Sequence, residues 1–387
     1  MLDTRRTGFK KAILTAALFA SLIITACVGP RGWPGAQVAN NVLYVSTMDG
    51  TIFALNAENG RTDGNNTWEW KPTVEQGTGI AEGNVTGAFL SCSRGGVGQF
   101  RAGYLYGPPV ITNGNVYIGY HIGIVYALDA AKGVKIWEHD LKSNIAAGLV
   151  FDGNTVYVGS TNGKVSALNA GNGSLKWDFP SENEVRGAPA IADGIVYFGS
   201  LDHNLYALDA TDGTKLWAVE TEGEIASTPI VVNGVIYFGS FDSKFYAIDA
   251  DSGAIKWVFD QAGNWFWSRA LYDGGILYAS SLDNRVYALD AGNGTLRWAE
   301  PFDAGSPLKS SPVIAAGVLV VASEEGKVFG LDLKTGRETW SSIDLEAKIL
   351  SDLCTDGRII YINDQNGRIY ALDGETSRLV WTVTLAD

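Results

Sequence analysis

Short runs of alternating apolar and polar residues fill most of this chain, and nearly every run stops at a turn rich in Gly, Asn or Asp. The clearest unit is residues 225–259, IASTPIVVNGVIYFGSFDSKFYAIDADSGAIKWVF. It predicts four strands. IASTPIVV ends at Asn233-Gly234, a dipeptide that favours φ > 0 and a tight hairpin. VIYFGS ends at Phe241-Asp242-Ser243, KFYAIDA ends at Asp251-Ser252-Gly253, and AIKWVF closes the unit. Period-two alternation of Val, Ile, Tyr, Phe and Trp is what a pleated, half-buried strand requires. Beyond the first 26 residues no stretch sustains the 3.6-residue period of an amphipathic helix.

The unit recurs. Trp137, Trp177, Trp217 and Trp257 stand 40 residues apart, and Trp298, Trp340 and Trp381 follow at 41, 42 and 41. Trp68 opens the series. A repeat of about 40 residues made of four short strands is the signature of a β-propeller blade. One blade cannot bury both of its faces, but blades packed around a ring cover one another. The expected fold is therefore all-β, an eight-bladed propeller of four-stranded antiparallel blades.

Many residues that look chemical are punctuation in such a repeat. Asp129, Asp209, Asp249, Asp290, Asp332 and Asp373 share one repeat position, with Asn56 and Asn169 as variants. An acid in every blade points to a side chain that hydrogen-bonds the following turn. Gly133, Gly173, Gly213, Gly253, Gly294 and Gly336 mark a position needing φ > 0. Each repeat Trp is expected to pack between blades with its N–H on a backbone carbonyl.

The N-terminus breaks the pattern. Arg5, Arg6, Lys10 and Lys11 precede an apolar run, residues 12–26, too short for a comfortable membrane span and shaped like the core of a signal peptide. It ends Ile24-Thr25-Ala26-Cys27, which resembles a bacterial lipobox and implies a lipid on Cys27. The domain reading is thus a signal peptide at 1–26, a lipidated Cys and short linker at 27–32, and the propeller at 33–387. Net charge is −13 for the full chain; removing the leader's four bases and one acid leaves −16. That balance argues against nucleic-acid binding, which needs a basic footprint. It suits a solvated, exported, monomeric propeller.

The sequences VYFGSLDHNLYALDATDGTKLW (196–217) and LYASSLDNRVYALDAGNGTLRW (277–298) resemble the PQQ-type, quinoprotein-like propeller repeat with its tryptophan-docking motif. The resemblance covers essentially the whole chain after the leader. It implies the fold and two classes of function. One is a lipid-anchored assembly scaffold of the outer membrane, to which length and anchoring make this chain most similar (the BamB-type assembly lipoproteins). The other is a PQQ-dependent oxidoreductase with calcium. Many alcohol-oxidising members carry two adjacent cysteines, whereas Cys27, Cys92 and Cys354 are far apart. No C-x-x-C-H haem site is present. The family's calcium ligands and catalytic Asp have no counterpart that can be placed here, so no cofactor is expected.

Binding chemistry is expected where the repeats differ. The largest interruption is residues 73–102, Gly-rich and without clear strands, between blades 1 and 2. In the topology that the resemblance implies, it shares a face with the turns between second and third strands. Loops displayed on a rigid scaffold concentrate binding residues. At the starts of the first strands, aligned positions are Trp33, Tyr106, Ala146, Arg186, Ala226, Phe266, Lys309 and Ile349. One step later stand Trp267 and Leu350 where other blades have Gly187 and Ser227, and Arg269 and Asp352 take the place of Pro189, Pro229 and Pro312. Blade 6 opens Trp265-Phe266-Trp267-Ser268-Arg269. These side chains either plug the channel or line a site for an anionic or planar ligand, with Tyr106, Arg186, Trp265, Trp267, Arg269, Lys309 and Asp352 as candidates. His121, His139 and His203 show no metal-ligand spacing. Cys92 and Cys354 are either a disulfide or buried thiols, since export permits the bond. The favoured function is a non-catalytic scaffold binding envelope proteins or peptides. A PQQ-dependent oxidoreductase and a sensor of a small envelope ligand are the alternatives.

Overall fold

A computed structural model describes residues 35–47, 50–62, 66–72 and 105–385. These all belong to one compact unit, Arg31–Glu82 together with Val97–Asp387. The leader, Cys27, Trp33, Cys92 and the 73–102 interruption lie outside the described residues.

The strands form eight four-stranded sheets, each antiparallel and each in sequence order. Blades 1 to 8 occupy residues 36–70, 110–140, 149–180, 190–220, 230–259, 271–303, 313–344 and 354–384. In blade 5 the four strands are Ile230–Val232, Val235–Gly239, Phe245–Asp249 and Ile255–Phe259. First strands of neighbouring blades approach one another and so line the axis, as Ala190–Ala192 does with Leu149–Asp152 on one side and Ile230–Val232 on the other. Burial follows from that order. The second strands are nearly all buried, while fourth strands alternate exposed and half-buried, as in Lys215–Glu220. Second strands are covered by both neighbouring blades and read as continuous apolar runs, whereas the outermost strand meets water on one edge.

Eight apolar clusters hold the ring, one at each seam. Tyr197, Leu205, Ala207 and Ile225 of one side pack on Ile236, Phe238, Tyr246 and Ile248 between blades 4 and 5. Leu43, Val45 and Leu55 of blade 1 pack on Tyr361, Ile369 and Ala371 of blade 8. The last seam is thus built like the other seven. No strand is exchanged between the two ends of the propeller among the described residues, because blades 1 and 8 each take four consecutive strands.

The repeat Trp is the seam's polar latch. Its indole N–H donates to a backbone carbonyl of the next blade in every case. Trp68 reaches Ala130 O (2.8 Å), Trp137 Ala170 O (2.8 Å), Trp177 Ala210 O (3.0 Å) and Trp217 Ala250 O (3.2 Å). Trp257 reaches Ala291 O (3.0 Å), Trp298 Leu333 O (3.0 Å), Trp340 Gly374 O (3.2 Å) and Trp381 Ala57 O (3.0 Å). A second-strand Tyr donates to the same carbonyl, as Tyr237 does to Ala291 O at 3.0 Å. The next blade's Gly lies against the indole: a Cβ on Gly213, at φ +77, would stand 2.7 Å from Trp177 Cε3. That glycine therefore answers two constraints, a left-handed backbone and a close approach. The recurring acid caps the same turn. Asp129 Oδ1 accepts the N–H groups of Ala131 (3.0 Å) and Lys132 (2.8 Å), and Asp290 Oδ1 those of Gly292 (2.9 Å) and Asn293 (3.2 Å).

Blade 7 departs from the pattern. Val320 replaces the tyrosine, and Trp340 lies over its own blade's Gly330, where other blades have Ala. Any Cβ at Gly330 would collide with the indole.

Candidate functional site

The turns divide into two faces. On one, the hairpin between first and second strands bonds the turn between third and fourth, as in Ala210 N–H to Gly194 O and Ala250 N–H to Gly234 O, both 2.9 Å. This face repeats with little change. On the other, the turn between second and third strands bonds the connection entering the same blade. Leu201 N–H donates to Glu184 O, Phe241 N–H to Glu224 O and Leu282 N–H to Trp265 O, each 2.9 Å. Here the side chains differ from blade to blade.

An acid ties this second face together beneath the varied residues. Asp202, Asp242 and Asp283 each accept a hydroxyl from the third-strand tyrosine: Tyr206 (2.8 Å), Tyr246 (2.6 Å) and Tyr287 (2.6 Å). Each also receives a backbone N–H of the incoming connection, from Glu182 (2.9 Å), Glu222 (3.2 Å) and Gly263 (2.7 Å). Burial, and then the hydrogen bond to the carboxylate, push these phenols above their ordinary range. The acids buttress loops and are already engaged.

Strand register corrects the alignment of the channel mouth. Ile230 pairs with Tyr237, Leu271 with Tyr278 and Cys354 with Tyr361, so these three residues are equivalent. Counting back from them, Phe266 and Ile349 match Ile225, not Ala226. Both are core residues, 1% and 0% exposed, within the blade 5–6 and blade 7–8 clusters. Trp267 and Leu350 occupy the mouth position instead, with Tyr106, Ala146, Arg186, Ala226 and Lys309. Arg269 and Asp352 correspond to Ala188, Thr228 and Ser311; the counterparts of the prolines are Ala270 and Leu353. The cause is one added residue in each case, in the connection after blade 5 and in the fourth strand of blade 7, where a bulge pairs Val328 with Ile343. Eight positions separate Trp217 from Ile225, but nine separate Trp257 from Phe266 and Trp340 from Ile349.

The candidates are distributed among five blades, and most are engaged locally. Tyr106, half-buried, packs its ring 4.9 Å from His121, whose Nδ1 lies 3.0 Å from Ile145 O. Arg186 is exposed, with Nε 2.7 Å from Glu184 Oε2. Lys309 Nζ lies 3.1 Å from Glu324, which also meets Lys348 at 3.2 Å. Burial works to raise the Glu324 carboxyl, but the two ammonium groups hold it below the usual carboxylate range. Asp352 Oδ1 accepts Ser311 N–H at 2.7 Å, a tie between blades 7 and 8 like the one Thr228 Oγ1 makes with Ala188 N–H at 3.1 Å. Arg269 is exposed and makes no ion pair among the described residues. Trp265 and Trp267 come together on a residue that the aligned positions missed, Phe241. Its ring is stacked 4.3 Å from Trp265 and 5.5 Å from Trp267.

Cys354 is a buried free thiol in the first strand of blade 8, and burial pushes it up to about 12. Among the described residues no group of three or more His, Cys, Asp or Glu side chains could hold a metal ion. Outside the mouth, His203, Glu220, Glu222, Lys244, Ile255 and Asp260 border an open groove of about 730 Å³ between the outer parts of blades 4 and 5.

Comparison with known proteins places these features in a family. A family model described as outer membrane protein assembly factor BamB matches residues 121–257 and 246–387. The outer membrane protein assembly factor BamB of Kangiella koreensis is 37% identical over 73 residues, which is 19% of this chain and 18% of that protein. Its Escherichia coli namesake is 32% identical over 80 residues, 21% of this chain and 20% of that protein. The matched stretch therefore spans about a fifth of either relative's length. Among solved structures, BamB from Moraxella catarrhalis superposes with a TM-score of 0.62 at 19% identity, covering 71% of this chain and 84% of that one. The computationally designed Ika8 protein gives 0.70 at 17%, covering 89% and 98%. Quinohemoprotein alcohol dehydrogenase from Comamonas testosteroni gives 0.62 at 14%, covering 73% and 67%. These three likenesses show the fold alone, which a designed protein and an oxidoreductase share with an assembly factor. The family match, which runs over more than half of the sequence, decides the relationship: this chain belongs to the family of the outer membrane protein assembly factor BamB.

Proposed function

We propose that this chain is a lipid-anchored, extracytoplasmic propeller that works as a non-catalytic scaffold in assembling outer-membrane proteins. Its partners are envelope proteins of that machinery, engaged on the face formed by the second-to-third-strand turns and the connections between blades. The observation that carries this reading is the inequality of the two faces. One repeats the same capped turns, whereas the other displays Arg186, Phe241, Trp265, Arg269 and Lys309 on a rigid ring. Rigid elements presenting varied loops hold a binding geometry without further ordering cost. The lipid on Cys27 supplies attachment to the membrane.

Crosslinking from intact envelopes tests it. Arg186→Ala with Trp265→Ala should lower recovery of the crosslinked partner, while Asp212→Arg and Asp251→Arg on the uniform face should leave it intact. The opposite result would mean the working face is reversed. Cys27→Ser should abolish labelling by a clickable fatty acid; unchanged labelling would remove the anchor from the proposal. A quinone absorption band with calcium-dependent dye reduction, after incubation with PQQ and calcium, would replace the scaffold by an oxidoreductase.

A further inference from the structure

Among the described residues, the seam between blades 5 and 6 carries an aromatic stack that the other seams lack at these positions. Phe241 opens the turn between the second and third strands of blade 5. Trp265 and Trp267 lie on the connection into blade 6. Their rings are stacked on Phe241, Trp265 within 10° of parallel and Trp267 within 21°. At the position of Phe241 other blades have Thr161, Leu201, Leu282, Glu324 and Gln365, each donating the same backbone N–H to its connection. At the position of Trp265 they have Asn144, Glu184, Glu224, Pro307 and Lys348. Core packing does not account for Trp265, because it remains 42% exposed. Stacking on Phe241 nevertheless holds the indole in one orientation. Such a ring presents a preformed, flat, electron-rich face, and prior ordering lowers the cost of binding.

Charge around this seam has one dominant sign. Glu224 lends its carbonyl to Phe241, Asp242 follows Phe241 in the turn, and Asp260 is exposed at the start of the connection. Lys244 is committed to Glu222 at 2.7 Å. Arg269, two residues beyond Trp267 and just before the first strand of blade 6, and Arg285, at the start of its third strand, are exposed and make no ion pair among the described residues, but the acids Glu222, Glu224, Asp242, Asp260 and Asp283 outnumber them together with Lys244. An exposed aromatic face whose adjoining turn and connections carry Glu224, Asp242 and Asp260 attracts a cation by its ring quadrupole and by ordinary Coulomb attraction.

We infer that this seam docks an arginine-bearing segment of a partner protein, with the guanidinium lying over the Trp265 indole and its N–H groups turned to the carboxylates of Glu224 and Asp260. A planar, weakly hydrated guanidinium stacks on an indole and still donates in its own plane, which a compact ammonium does not. The inference takes from the scaffold reading only that the partner is a protein.

The test uses the full chain labelled with fluorotryptophan and three end-blocked probes, Gly-Arg-Gly-Arg-Gly and its Lys and Glu counterparts. The arginine peptide should shift the resonance that disappears in Trp265→Phe, and should bind about threefold or more tighter than the lysine peptide. Trp265→Leu and Phe241→Leu should each weaken it about fivefold. Glu224→Gln, which keeps the aromatic group intact, should weaken it too, as should about 0.5 M salt. Equal binding of the glutamate peptide, or an affinity indifferent to Trp265→Leu, overturns the inference. So does a gain of more than about tenfold on replacing residues 73–104 by a linker, since the chain's own segment would then be the occupant. The two readings fail separately. Envelope partner recovery that ignores Trp265→Leu, with arginine selectivity retained, removes this face from the scaffold reading. Recovery that drops in Trp265→Leu, with no selectivity among the peptides, removes the guanidinium.

Discussion

Trp217 shows what a single side chain contributes to this ring. Its N–H donates to Ala250 O, its ring meets Tyr197 at 5.9 Å, and its face closes on Gly253 of the next blade. Truncation removes a large apolar contact and leaves the Ala250 carbonyl with only Tyr197 OH at 3.3 Å. Trp217→Ala is expected to destabilise the propeller by about 3–5 kcal/mol, the range for large-to-small aromatic core changes. Urea unfolding measures it, and a loss below about 1 kcal/mol would mean the seam repacks without the indole. Such residues are legible in the sequence because eight copies of one environment are averaged in one chain. Phe241 was not legible for the converse reason. It is an unremarkable apolar residue in a turn where other blades have Leu201 and Leu282, and only the ring geometry brings it between two tryptophans distant by more than twenty positions.

At the scale of the element, the blade is a four-strand cassette with fixed hairpins and an elastic connection. The hairpins hold their length because Asn-Gly, Asp-Gly and capped Asp turns admit one geometry each. Fourth strands and the connections that leave them absorb the variation, as the bulge in Glu338–Asp344 does. For that reason strand existence and order could be read from pattern, whereas the mouth residues of blades 6 and 8 slipped by one. A slip of one position exchanges the two faces of a strand. Phe266 and Ile349 accordingly turned out to be core, and Trp267 and Leu350 took the mouth. Elasticity of the connections also bears on the longest of them. Replacing residues 73–102 by a short Gly-Ser linker should shift the urea midpoint little, because closure entropy grows only slowly with loop length. It should reduce partner recovery if that segment belongs to the working face. A large loss of stability would instead assign the segment to the fold.

For the whole molecule, the buried tyrosines set a limit on the alkaline side. Burial raises Tyr126, Tyr197 and Tyr278 to about 12 and lifts Tyr206, Tyr246, Tyr287 and Tyr361 further. Folding therefore favours the neutral phenol. Its contribution is complete below the ordinary value of 10.0 and is lost as pH rises from there through about 12. The turn acids work in the other direction. Hydrogen bonds from Ser252, then Lys256, lower Asp249 to about 2, so its contribution is present above 3.8 and is lost as pH falls toward 2. Urea midpoints should be level between about pH 5 and 9 and decline below about pH 4 and above about pH 10; a steady rise beyond pH 10 would contradict the burial of the phenols. The seam between blades 8 and 1 adds a further property. Because Trp381 latches onto Ala57 as every other Trp latches onto its neighbour, and no strand among the described residues crosses that seam, the ring has no privileged place to begin. A gene rewired so that residue 385 runs into residue 35 through a linker matched to 221–229, and opened between blades 4 and 5, should encode a protein with the same eight blades and nearly the same melting temperature. Synthesis order and architecture are in this sense independent: the molecule is a cyclic object written on a linear tape.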